Sequence, residues 1–399
     1  VNLPSLPSNT GALQGIRVLD LSRILGGPLC GQILGDHGAD VLKVEPPQGD
    51  DTRHWGPPFQ TDGVASYYLG LNRNKRLQFL DLSTPNGQES VLALMECADV
   101  VIENFKIGTL EKWGIGWQQM HSRWPHLIWC RVSGFGANGP LGAQLGYDAA
   151  IQAAAGLMSV NGESDQAGGA PLRLGVPVVD MVTGLNAVIG VLLALHERQR
   201  SGQGQLVDAA LYDSALSLLH PHAANWFMDD KTPKRMGNAH PNIYPYDNLP
   251  TADGPIFLAV GNDRQFALLC QHLGCAELAQ DARFATAGER SRHRDALRPL
   301  LESALRAHQA QPLAEALMRL GVPAAAVLDV PSALEHPHTQ HREMVVEMPG
   351  YRGLGAPVKL SRTPASYRHA PLARGDAWHK RNTDKLRQPA GIAQHLGNA

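Results

Sequence analysis

Two acidic residues and a group of cations carry the chemistry open to this chain of 399 residues. Asp180 closes the run VPVVD, just ahead of the apolar stretch MVTGLNAVIGVLLAL. Val176 to Val179 are β-branched or proline, so the run reads as a short buried strand. Thr183 to Gln199 is apolar on nearly every side and reads as a helix inside a large core. Asp180 then falls where a strand ends and a helix begins. Open α/β sheets bind ligands at such places, and the free N–H groups of the helix start can stabilise an anion there. Two readings stand for this residue. Asp is favoured as an N-cap for structural reasons alone. A carboxylate also serves some enzymes as a covalent nucleophile. Spacing does not choose between them.

The second acid, Asp148, follows Leu145, Gly146 and Tyr147 and opens an alanine-rich helix, again at an N-cap position. Tyr147 is a boundary aromatic or a ligand contact. The cluster NRNKR, Asn72 to Arg76, precedes a strand, and with Arg53, Lys106 and Lys112 it places several cations on loops. Such cations are either solvated turns or charge-assisted ligands for phosphate. The segment RMGNAHPNIYPY is a loop by its Gly237 and Pro241, and loops on rigid scaffolds often carry function. Its His240 says little alone.

These groups need elements to position them. Strands are expected at Ile16–Leu21, Ala39–Glu45, Leu77–Leu82, Asp99–Glu103 and His126–Val132. Helices are expected around Cys30–Leu34, over Gly87–Cys97 and near Leu110. This alternation implies an α/β fold with a parallel, doubly wound sheet. Only LGGP stands between the first strand and its helix, so the dinucleotide fingerprint GxGxxG is absent. Composition turns polar around Asn225–Lys231, marking the entry to a second domain. That domain has a strand at Ile256–Val260 and amphipathic helices near Arg264–Leu273 and Arg292–His308. The expected division is 1–224, 225–330 and 331–399, with the last segment returning to the first domain.

Composition narrows the function classes. A chain of this length divides into two domains, because single cores stop growing at roughly 250–300 residues. The net charge of −2 provides no basic field for nucleic acid or anionic lipid, so neither is an expected partner. The five cysteines form no CxxC pair or disulfide framework, which fits a reducing compartment, and no structural zinc is expected. The opening VNLPSLPSNTG has no signal pattern and reads as a disordered lead-in. The apolar helix near Leu185–Leu195 reads as too short to span a bilayer. A cytoplasmic location follows, with the mitochondrial matrix as the alternative.

Several stretches, in order, resemble the class III CoA-transferase family. They include GIRVLDLSRILGGPLCGQILGDHGADVLKVEPPQGDDTRHWGPPF, LNRNKR, ADVVIENFKIGTLEKWGIG and SGFGANGPLGAQLGYDAAIQAAAG. VVDMVTGLNAVIGVLLAL, GQGQLVDAALYDS, GNAHPNIYPY and DGPIFLAVGNDRQF continue the likeness to about Arg374. The resemblance implies a large Rossmann-like domain built from both chain ends, a smaller inserted α+β domain, and two interlocked subunits. It puts the nucleophilic aspartate on Asp180. It puts coenzyme A contacts on Leu25, Gly26, Arg76, Leu80, Asn104, Phe105, Lys106 and Lys112, and on Leu145 to Asp148. The family's glycine loop corresponds to Gly237, Asn238 and His240, with fewer glycines here, and is the expected lid and substrate contact.

The resemblance also implies a reaction. CoA moves from an acyl-CoA donor to a carboxylic acid through an aspartyl-CoA thioester, with free helix N–H groups stabilising the oxyanions. The blocks look most like enzymes that use succinyl-CoA with glutarate or a related C4–C6 dicarboxylate such as itaconate. Arg53, Arg73, Arg173 and His240 are then candidates for the distal carboxylate. The racemase branch, which epimerises 2-methylacyl-CoA, carries a His–Asp pair where this chain has Tyr147 and Asp148. A phenol, with an ordinary pKa near 10, is a poor base at neutral pH. Asp263 stands at that branch's second acid and reads as structural here. A non-catalytic acyl-CoA binding protein is the alternative of another class.

Overall fold

Six short strands pair into one parallel sheet in the computed structural model, which describes residues 11–373. They are β1 (Arg17–Asp20), β2 (Asp40–Glu45), β3 (Lys75–Phe79), β4 (Val100–Glu103), β5 (Ile128–Ser133) and β6 (Leu206–Ala210). Their spatial order is β3-β2-β1-β4-β5-β6. The order reverses between β1 and β4, and in such sheets ligands bind outside the carboxyl ends of the strands at that point. Central strands such as β4 are buried at every residue, as a sheet covered on both faces requires.

Eight helices border or follow these strands up to β6. They are α1 (Gly26–Asp36), α2 (Ser66–Leu69), α3 (Pro85–Met95), α4 (Thr109–Lys112), α5 (Trp117–Arg123), α6 (Asp148–Ala154), α7 (Leu157–Val160) and α8 (Val178–Ser201). Leu19, Leu42, Val101 and Trp129 face one side and pack with Val91, Met95, Leu110 and Met120 from α3, α4 and α5. Side chains of opposite parity face the other: Val41, Ile102, Val132 and Val207 stand against glycines of α1 and α8. The sheet is therefore wound on both faces.

The expected strand at Val176–Val179 is not one. Val176 is exposed, Pro177 is the N-cap of α8, and Val178 and Val179 are its first two residues. A short apolar run cannot distinguish a strand from a buried helical turn, and proline suits a helix start. The helix is also longer than expected. At 24 residues it is, by length and composition alone, long and apolar enough to cross a membrane, so the expectation that it is too short was wrong. It lies along α1, β5 and β6 and buries Val179, Thr183, Ala187 and Val191.

Two compact units emerge. The first holds residues 11–151, Val176–Leu216 and 338–373 of the described chain. The second holds Gln152–Gly175 and Ser217–Pro337. The boundaries thus fall at 216/217 and 337/338 rather than 224/225 and 330/331, and residues 152–175 leave the first unit. A linear reading places a segment with its sequence neighbours, whereas contacts place it with Arg235 and Gly237. In the second unit, β7 (Tyr246–Pro250), β8 (Pro255–Ala259) and β9 (Ala324–Ala326) form an antiparallel sheet. Leu297, Leu301 and Leu305 repeat at helical spacing and are fully buried in its core. In the first unit, the returning segment donates from Ser366 N–H to the Asp36 carbonyl at 2.9 Å, and the His369 carbonyl accepts from Asn74 N–H at 2.8 Å. The lead-in at residues 1–10 and the end of the tail, 374–399, lie outside the described residues.

Candidate active site around Asp180

Asp180 is the third residue of α8 and does not cap its own helix. That task belongs to Asp148, whose Oδ2 accepts the N–H of Val179 at 2.8 Å and of Asp180 at 3.2 Å. Asp148 is thus also no simple cap of α6, although it is that helix's first residue. The Asp180 carboxylate itself makes no hydrogen bond to any other described residue. Burial, then the charge of Asp148, raises its pKa to about 7. An acid in that state is half ionised near neutral pH, as a nucleophile of moderate basicity must be.

The expectation of free N–H groups at the start of α8 is corrected. Val178 and Met181 donate to the carbonyls of Val176 and Pro177, and the two N–H groups between them go to Asp148. The start of α1 differs. Leu25 is its N-cap residue with no side-chain cap, and among the described residues no acceptor takes the N–H of Gly26 or Gly27. A Cβ on Gly26 would stand 3.4 Å from the Asp180 carbonyl oxygen. A Cβ on Gly184, one turn further along α8, would come within 2.8 Å of the Gly26 carbonyl. Glycine at both positions lets the two helix starts lie against each other.

Tyr67 escaped the sequence reading. Burial, then Asp180, Asp148 and Asp50, raises its phenol to about 12, so it stays a hydrogen-bond donor among carboxylates. It packs with Leu25, Leu29 and Leu71. In the sequence it sits within SYYL, where no neighbouring residue type marks it as part of a site.

A cavity of about 260 Å³ opens in the same unit, bounded by Arg23, Val44, Leu80, Phe105 and Trp113. Leu80 and Phe105 come together there, with the Phe105 and Trp113 rings edge to face at 6.0 Å. Asn104 holds the chain after β1: its Oδ1 accepts the Arg23 N–H at 2.9 Å and its Nδ2 donates to the Arg23 carbonyl at 2.7 Å. Lys106 and Lys112 are exposed on the following loop and helix. Leu145 and Tyr147 are exposed, and Gly146 is half-buried against Gly134 and Ile151. A larger cavity, about 560 Å³, lies in the second unit near Pro255, Ala310 and Leu328, and no candidate residue lines it.

Several expected cations are committed elsewhere. Arg73 is buried in a bidentate pair with Asp36, and Lys75 bonds Asp20 at 2.9 Å, the Pro28 carbonyl and Asn72. Arg53 is buried against both oxygens of Glu45, and Arg76 pairs with Asp40 at 2.6 Å. The NRNKR cluster is therefore mostly interior, and Arg53 and Arg73 are not available for a substrate carboxylate. Burying unpaired charge is costly, so each cation found an internal acid. Arg173 remains exposed.

In the second unit, Gly237 adopts φ +62°, a left-handed conformation suited to glycine, and its N–H donates to the Gly162 carbonyl at 3.0 Å. Asn238 is exposed beside it. His240 Nδ1 accepts the Asn242 N–H at 3.1 Å, which leaves the proton on Nε2. Burial, then Arg294 and His220, lowers its pKa, so the ring is neutral at pH 7. Asp263 accepts a 2.7 Å bond from Arg290. No group of three or more His, Cys, Asp or Glu side chains is arranged for a metal among the described residues.

This chain belongs to CoA-transferase family III, whose sequence model matches residues 13–376. It is 41% identical over 376 residues to a succinate–glutarate CoA-transferase of Agrobacterium fabrum, covering 92% of this chain and 93% of that one. A succinyl-CoA:mesaconate CoA-transferase of Haloarcula hispanica is 38% identical over 377 residues, at 91% and 93% coverage. Among solved structures, a CAIB/BAIF family protein from Brucella suis matches with a TM-score of 0.83 and 41% identity, over 94% of this chain and 98% of that chain. The expected family and enzyme class are thus established, and CoA thioesters are its substrates.

Proposed function

We propose that this chain moves CoA from succinyl-CoA to a C4–C6 dicarboxylate such as glutarate or itaconate, with Asp180 as the nucleophile. The observation that carries the reading is the Asp180 carboxylate, set on a capped helix turn and bonded to no other described group. The named activities of the relatives from Agrobacterium fabrum and Haloarcula hispanica supply the substrate class.

The Asp180 oxygen attacks the thioester carbonyl, forming a mixed anhydride and expelling CoA thiolate. The thiolate attacks the aspartyl carbonyl of that anhydride, giving an aspartyl-CoA thioester and free succinate. The acceptor carboxylate then displaces the thiolate to form a second anhydride. Attack of the thiolate on its acceptor-derived carbonyl releases the new acyl-CoA and regenerates Asp180. The N–H groups of Gly26 and Gly27, which no other described residue accepts, are with the Tyr67 hydroxyl the donors we assign to the oxyanions. The cavity between Leu80 and Phe105 takes part of the coenzyme, and Lys106 and Lys112 suit its phosphates. Leu145 to Tyr147 remain coenzyme contacts in this proposal.

We also propose a homodimer. The outward face of α8 exposes Met181, Leu185, Ile189, Leu192 and Leu193, an apolar stripe that a second copy would cover. Light scattering tests it, a monomer refuting it. A cytoplasmic location, or the mitochondrial matrix, is proposed on the five free cysteines and is tested by cell fractionation.

The deciding experiment is isotope exchange between succinyl-CoA and labelled succinate, which needs no knowledge of the acceptor. Hydroxylamine after succinyl-CoA should convert Asp180 to its hydroxamate. An unmodified Asp180 peptide in protein that still exchanges label refutes the route.

A further inference from the structure

The loop between β1 and α1 contains a local conflict. Ile24 adopts φ +73°, a left-handed conformation that a β-branched side chain strongly disfavours. Such a conformation persists only when its surroundings over-determine it.

The surroundings here are buried ions. Ser22 N–H bonds Asp20 at 3.0 Å, and the Ser22 carbonyl accepts from Lys43 Nζ at 2.8 Å. Both backbone groups of Arg23 are held by the Asn104 amide. Asp50 Oδ1 faces the Ile24 N–H at 3.4 Å, while its Oδ2 lies 3.1 Å from Lys43 Nζ. Lys43 and Asp50 are essentially sealed from solvent. Asp50 is itself locked by Thr52, whose N–H and hydroxyl donate at 3.0 and 2.7 Å. Packing fixes the other side: a Cβ on Gly27 would overlap Ser22, and one on Gly31 would reach Asp20. Burying ions in this way costs stability that apolar residues of similar volume would not. What the arrangement secures is the placement of the next two residues.

We infer that Lys43 and Asp50 are positioning residues for CoA transfer, holding Ile24 in its strained conformation so that Leu25 and Gly26 lie against the turn that carries Asp180. The inference rests on the reading of Asp180 as nucleophile. Neither residue touches the carboxylate. Their effect passes through the backbone of Ser22 to Gly26. Loosening the loop would withdraw the Gly26 N–H and admit water beside Asp180.

The test is succinyl-CoA/labelled-succinate exchange by Asp50→Asn, followed from pH 5 to 9 beside wild type and Asp180→Asn. Charged and titratable groups influencing Asp180 are Asp148 and Tyr67, and both are retained. Asp50 also acts on the Tyr67 phenol, so Thr52→Val, which removes no charge, is followed beside it. Asp50→Asn should lower kcat by at least tenfold with less than a threefold change in KM for succinyl-CoA. Its acidic limb should move to lower pH, because a better-hydrated Asp180 ionises more readily. Ile24→Gly, which adopts the left-handed conformation freely, should recover part of the lost kcat when added to Asp50→Asn. A merely structural role would leave the acidic limb in place and give no recovery. A folded Asp50→Asn with wild-type kcat and limb overturns the inference. Should Asp50→Asn not fold, Thr52→Val carries the same readings at two- to fivefold, and wild-type values there overturn it. Asp180→Asn separates the two claims: exchange retained in that variant removes the nucleophile itself, whatever Asp50 does.

Discussion

Asp148 accepts the backbone N–H of Asp180 at 3.2 Å, so one acid caps the helix from which the other projects. The arrangement has two opposite electrostatic effects. It satisfies the helix start, and it sets a negative charge beside a carboxylate that burial has already made reluctant to ionise.

The first prediction concerns pH and stability. Asp180 has a folded pKa near 7 against an ordinary value of 3.8. Below pH 4 it is protonated in both folded and unfolded chains and costs nothing. As pH rises above 3.8 the unfolded chain ionises first, so stability falls until the folded acid also ionises near 7, and the full penalty stands above that pH. Asp180→Asn should therefore be more stable than wild type by about 2–4 kcal/mol at pH 8. The gain should vanish near pH 4. Urea titrations at pH 4, 6 and 8 read it, and the same variant should lose label exchange by at least about a thousandfold. A variant less stable than wild type at pH 8 contradicts the burial of a bare carboxylate.

Removing the charge of Asp148 while keeping an acceptor separates its two effects. Asp148→Asn should shift the acidic limb of the exchange reaction below that of wild type, since one source of repulsion is gone. Its stability should change by under about 1 kcal/mol, whereas Asp148→Ala should lose about 1–2 kcal/mol with the cap. An unmoved limb in Asp148→Asn would assign the Asp180 shift to burial alone.

At the helix crossing, a Cβ on Gly184 meets the Gly26 carbonyl at 2.8 Å and Leu29 Cδ2 at 3.0 Å. Gly184→Ala should destabilise by about 1–3 kcal/mol and depress kcat, because the two helix starts must part. Thermal melting and exchange rates check this together. A neutral substitution would mean the crossing adapts.

Phe105 and Arg73 make a matched pair of controls. Phe105→Ala, in the cavity with Leu80 and Trp113, should raise KM for succinyl-CoA about tenfold with little loss of stability, consistent with one lost ring contact. Arg73→Ala strands the buried Asp36 and should cost about 3–5 kcal/mol. Its residual folded fraction should show an unchanged KM for dicarboxylates. A selective rise in that KM would return Arg73 to the acceptor site.

Much was legible in the linear chain because its signals are local. The strand–helix alternation from Arg17 to Ser133 follows from apolar runs separated by glycine and proline turns, and each run carries its own burial preference. The absence of a dinucleotide fingerprint and the run of family-like blocks also depend on neighbours in sequence. Asp180 could be marked as a candidate for the same reason: an acid at the edge of an apolar helix is conspicuous.

Other features belong to tertiary structure, because they join residues far apart in the chain. Arg73 reads as a loop cation until Asp36, 37 positions earlier, is seen to pair with it. Val178 and Val179 have strand-like types, yet Pro177 and the distant carboxylate of Asp148 make them a helix start. The choice between cap and bare acid for Asp180 was open in the sequence, since either role uses the same side chain in the same place. It was decided by a second acid arriving from 32 residues away to take the N–H groups, leaving the Asp180 oxygens unspent.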